Sequence, residues 1–163
     1  MTHYTDSIGF YKNSPSFPAK TNNRTTIVEM ELDFAKIVAE RAAAGATALA
    51  AADTLDVLTL PEKTYVHAAG VDITNGGTTD LTLSLGIEGT PAHFLSAVAG
   101  DAEASFGSAA DASIYFAAET ALRLTFGAEA PGDLKVRVWA IATDTFGDLG
   151  DVPGTRRFVS NAP

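Results

Sequence analysis

Apolar and polar side chains alternate along several short stretches between Leu55 and Ala142. Leu81, Leu83, Leu85 and Ile87 fall on one side of an extended chain. Thr82, Ser84, Gly86 and Glu88 fall on the other. Leu134, Val136, Val138 and Ala140 repeat the pattern near the C-terminus. A period of two marks a strand with one buried face, so these segments predict an antiparallel, half-buried sheet. Further strands are predicted at Ile27–Phe34, Leu55–Leu60, Tyr65–Ile73, Ile114–Phe116 and Thr120–Phe126. In the first of these, Val28, Met30, Leu32 and Phe34 face one way and Glu29, Glu31 and Asp33 the other.

After Phe34 the period changes. Phe34, Ile37, Val38 and Arg41 follow helical spacing, Asp33 is placed to cap the start, and Gly45 to stop the end. This predicts a short helix near 34–44, then a small-residue linker to Ala52. Asn75-Gly76-Gly77 predicts a tight turn or bulge, after which Leu81–Ile87 pairs with 65–73 as a hairpin or meander. Gly86–Pro91 reads as a loop, His93-Phe94-Leu95 opens another packed element, and 96–112 reads as a loop over the sheet. Glu129–Asp133 is a turn. Strands that do not alternate with helices argue against a doubly wound parallel sheet. The prediction is mainly β: an antiparallel β-sandwich, jelly-roll-like, with one short helix and extended terminal arms.

Residues 1–25 form the predicted N-terminal arm, 26–142 the core domain and 143–163 a C-terminal tail. Tyr4, Phe10, Tyr11 and Phe17 sit in the arm among Ser, Asn and Pro. So much ring area gains nothing in a solvated tail, so the arm is expected to order against a neighbouring subunit or partner. In the tail, Phe146, Leu149 and Phe158 are possible anchors.

Apolar residues make up 46% of the 163 positions, enough for one domain with a real core. The net charge of −9 is uneven: residues 1–52 hold five basic and five acidic side chains, residues 53–163 six and fifteen. An acidic body disfavours nonspecific nucleic-acid binding. There is no cysteine, which excludes disulfides, thiolate nucleophiles and cysteine metal sites. The Ala-rich stretches are interrupted by Gly, Asp, Glu and Ser, so no membrane span is expected, and the start Met1–Asp6 has no basic patch followed by an apolar run, so no secretory signal is expected.

Chemistry is sparse. No Gly-x-Ser-x-Gly elbow, His-Glu-x-x-His pair or phosphate-binding glycine loop is present. His3 lies in the arm, and His67 lies mid-strand on the Tyr65/Val71/Ile73 side, packed or at an edge. His93 follows a Gly-Thr-Pro loop, where it either holds the loop or binds a partner. Asp53/Asp56 and Asp144/Asp148/Asp151 offer carboxylates to a hard cation, but neither has EF-hand spacing. On the last strand Lys135, Arg137, Trp139 and Ile141 share a half-charged, half-apolar face, which makes Arg137 and Trp139 candidates for partner contact.

The run from Asp33 to Gly45, the strand Asp53–Pro61, the segments Thr64–Thr74 and Leu81–Gly89, and Phe94-Leu95 together carry a resemblance. Over residues 26–142 the chain resembles small tailed-bacteriophage head proteins of the capsid decoration or cement type. Their Gly-Asp-Gly-like loop is only partly kept here, as Gly86-Ile-Glu-Gly-Thr-Pro91. The resemblance implies a non-enzymatic virion protein on the capsid outer surface that bridges major capsid protein subunits. Trimers suit local three-fold positions, so a homotrimer is expected, with monomers and dimers open. No catalytic residue, cofactor or metal comes with it. The alternative is a tail, fibre or baseplate component binding a host receptor or glycan.

Overall fold

The computed structural model describes residues 3–4, 25–77, 80–109, 111–130 and 132–144, without the side chains of His3, Tyr4 and Asp144. The predicted anchors Phe10, Tyr11, Phe17, Phe146, Leu149 and Phe158 lie outside the described residues. In chain order the elements are β1 (His3–Tyr4), β2 (Thr25–Asp33), α1 (Phe34–Ala43), β3 (Thr54–Leu60), β4 (Thr64–Asn75) and β5 (Thr82–Ile87). There follow β6 (Thr90–Ala99), β7 (Ala104–Gly107), β8 (Ile114–Phe116), β9 (Thr120–Phe126) and β10 (Lys135–Asp144).

Two sheets form. One runs β1-β3-β9-β5-β6 and the other β2-β10-β4-β7, with β8 pairing to β4. All pairs are antiparallel except the two-residue β1, which lies parallel to β3. Four of the pairs are nested in the chain, β2 with β10, β3 with β9, β4 with β7 and β5 with β6, and the pairs β4–β10 and β5–β9 join them into the two sheets. The alternation read from the sequence points into one shared core. Leu83, Leu85, Leu122 and Leu124 from one sheet and Val71, Val138 and Ala140 from the other are fully buried.

The helix begins at Phe34 because Asp33 caps it, its side chain accepting a hydrogen bond from the Ala35 N–H at 3.1 Å. Phe34 anchors this corner, its ring 5.5 Å from that of Phe126 in an edge contact. Gly45 ends the turn at φ +69°, a backbone state that side chains with a Cβ resist. Arg41 is buried at the last turn, where its Nε and Nη2 donate to the Thr47 carbonyl at 3.0 and 2.6 Å.

Four sequence expectations change. β5 does not pair with β4; it lies between β6 and β9 in the opposite sheet. From β2 to β5, successive strands alternate between the sheets, so the turn after Asn75 crosses the sandwich instead of folding back. The supposed loop at Gly86–Pro91 shrinks to Glu88-Gly89, because Ile87 already pairs with Thr90. The stretch 96–112 is not all loop, since it holds the end of β6 and all of β7. His67 does not share a face with the buried Val71 and Ile73. A register shift opposite Ile141/Ala142 inserts a residue, which keeps Val66 buried and turns His67 outward.

Candidate functional site

The positions that alternate with the core on β2, β10 and β4 build the outer face of the second sheet. The register sets them in rows. Arg137 lies between Glu31 and Asp72, Trp139 between Glu29 and Gly70, and Ile141 between Ile27 and Ala68.

Arg137 forms the polar end of this face. Its Nε and Nη2 donate to Asp72 Oδ2 at 3.0 and 2.6 Å, and its Nη1 lies 3.6 Å from Glu29 Oε2. The Asp72 side chain is only 14% exposed, against 43% for Arg137. Burial pushes the Asp72 carboxyl up, but hydrogen bonds from Arg137, Ser105 and Trp139 and the charge of Arg137 outweigh it, so the group titrates below its ordinary range. The same hydrogen bond and charge hold Arg137 more firmly protonated.

Trp139 is the aromatic centre. It is half-buried, and its six-membered ring lies over Gly70 and beside Gly107, which pair with each other across β4 and β7. A Cβ at Gly70 would collide with the indole and with the Phe106 carbonyl, so the close approach requires glycine there. Beyond Ile141 the face continues to Thr143, Tyr65 and Tyr115. Tyr65 donates to Ser113 Oγ at 3.0 Å, and His67 Nε2 sits 2.7 Å from Thr143 Oγ1.

The candidate contact residues do not converge. Arg137 and Trp139 are two positions apart on β10 and share this face. His93 sits on β6 in the other sheet, half-buried, where its Nε2 donates to the Ala112 carbonyl at 2.9 Å. That bond ties the 111–113 segment to β6. Tyr4 contributes backbone to β1 beside Leu55, while Phe10, Tyr11 and Phe17 lie outside the described residues. Two residues that sequence reasoning passed over stand out: Ile27, 67% exposed, and Tyr115, 50% exposed. Ile27 carried a readable signal, since it is the one large apolar residue on the parity of Glu29, Glu31 and Asp33.

Of the carboxylates considered for a cation, Asp53 and Asp56 are engaged otherwise, and the side chain of Asp144 is outside the described structure. Asp53 accepts from the Ala50 N–H at 2.9 Å and Asp56 from Arg123 Nε at 2.7 Å. Asp148 and Asp151 lie outside the described residues. Among the described residues, no group of three or more His, Asp or Glu side chains is placed to hold a metal, and no helix is long and apolar enough to cross a membrane.

No protein-family model and no curated protein matches the sequence. Solved structures do match the fold. A chain of the capsid of Ralstonia phage GP4 aligns with a TM-score of 0.63 at 14% identity, over 88% of this chain and 98% of that one. A chain in the acid-stable capsid structure of Helicobacter pylori bacteriophage KHP30 aligns at TM-score 0.54 and 12% identity, over 77% and 91%. One in the cyanophage Pam1 capsid asymmetric unit aligns at 0.53 and 17%, over 79% and 89%. The chain therefore has a fold also found in chains of phage capsid structures.

Proposed function

We propose that this chain is a non-enzymatic structural protein of a phage head, a capsid decoration or cement protein. One observation carries the reading. In three phage capsid structures the matching chain is spanned over 98, 91 and 89% of its length, so the likeness is to whole chains rather than to a domain inserted in a larger protein. A small two-sheet body of this kind suits an accessory component of a shell. The nested pairing of β2–β10, β3–β9, β4–β7 and β5–β6 supports reading the sandwich as a jelly roll, a fold common among capsid domains.

In this reading the body sits on the capsid outer surface and bridges major capsid protein subunits. Beyond the strand residues of β1, β2 and β10, the arm 1–25 and the tail 143–163 reach neighbours, and copies associate as homotrimers. Each contact is small, but many copies on a symmetric lattice convert small contacts into avidity. Cofactors, membranes and nucleic acid have no part in it. That the three named neighbours all come from capsids favours the head over a tail or fibre. Particle stability tests the reading. Heads assembled without this chain should lose integrity at lower temperature than complete heads and should withstand low salt less well, and equal resistance would refute the cementing role.

A further inference from the structure

We propose that the outer face of the β10 sheet docks a partner protein of the particle whose surface presents lysine or arginine around an apolar contact. This rests on the virion reading above and names the face and the partner chemistry.

Three observations converge on that face. Ile27 and Tyr115 are the large apolar side chains left exposed among the described residues, and both lie there. They are three strand positions apart across the sheet and two residues apart along it, roughly 16 Å at the usual spacings, so one contact patch takes in both. Ile141 lies between them, and Trp139 extends the patch one row beyond Ile27, its indole laid against the sheet by Gly70. An apolar, aromatic centre with charged flanks is the anatomy of a protein interface.

Charge selects the occupant. Residues 25–144 hold six basic and seventeen acidic side chains. On this face the basic groups are already engaged: Arg137 with Asp72 and Glu29, Lys135 with Asp33 at 3.9 Å. Glu29 and Glu31 stand exposed along β2, an edge strand of this sheet. A second copy brings the same excess of acidic side chains to a face-to-face contact, and like charges brought together are unfavourable. A basic partner surface meets the same carboxylates favourably.

The test adds the purified full-length chain back to heads that lack it and measures the bound fraction by sedimentation at several salt concentrations. Ile27→Lys/Tyr115→Ser and Glu29→Lys/Glu31→Lys are the variants, all at exposed positions. Thr59→Lys, exposed on β3 of the other sheet, is the control, and thermal melts by circular dichroism confirm that each variant folds. Each double variant should bind at least about tenfold more weakly, the loss of a buried anchor or of paired charges, and Glu29→Lys/Glu31→Lys should also flatten the salt dependence. Wild-type chain that fails to bind overturns both this inference and the virion reading. Wild-type chain that binds while both variants bind equally well overturns the face alone. So does a change in self-association, rather than head binding, in either variant.

Discussion

Gly70→Ala tests how the outer face is built. The added methyl would collide with the Trp139 ring and the Phe106 carbonyl. The carbonyl belongs to β7, held in register by the pairs Gly70–Gly107 and Val71–Phe106, so it cannot yield without breaking the ladder. The indole must then lift off the sheet. Overpacking of this kind costs about 1–3 kcal/mol, and the smaller entropy of the unfolded alanine chain returns about 0.4–1. The expected net loss is therefore about 1.5 kcal/mol, or roughly 6 °C in Tm for a body of this size. Trp139 is the only tryptophan, so its emission follows urea unfolding without a label. The native emission should shift to the red and the midpoint should fall. In a Trp139→Ala background, followed by circular dichroism, the Gly70→Ala penalty should shrink by about 1 kcal/mol or more. An unchanged midpoint and unchanged emission in Gly70→Ala would refute the packing described for this face.

Asp33→Ala removes the helix cap and should lower stability by about 1 kcal/mol in urea titration. Leu124→Ala opens a cavity where both sheets meet and should cost about 2–5 kcal/mol by the same measurement. Asp72 titrates below its ordinary value of 3.8, so its contribution is fully present above that pH and is lost as pH falls through the lowered value. Asp72→Asn should therefore reduce stability at neutral pH and flatten the acid limb below about pH 4, which denaturation across pH 2–7 reports.

Much of the fold was legible because one-sided burial writes itself into the chain. Leu81–Ile87 and Leu134–Ala142 alternate because their sheets bury one face, and Asp33 and Gly45 bracket the helix through backbone needs that few residues meet. Pairing was less legible. Nothing in Asn75-Gly76-Gly77 distinguishes a turn that folds back from one that crosses to the opposite sheet, and proximity in sequence alone favours β5 beside β4. The bulge that turns His67 outward leaves no local signature either, because it is set by register against β10. Of the surface, Arg137 and Trp139 could be picked from one strand. The partners that give them meaning, Asp72, Gly70 and Ile27, come from strands distant in sequence and join only when β10 inserts between β2 and β4.

Imaging of the assembled particle at a resolution that distinguishes protein folds tests the central claim most directly. The two-sheet body of residues 25–144 is expected on the outside of the head, repeated with the symmetry of the shell and contacting more than one major capsid protein subunit. A body found only on the tail or a fibre, or missing from particles that contain every other structural protein, would contradict the account.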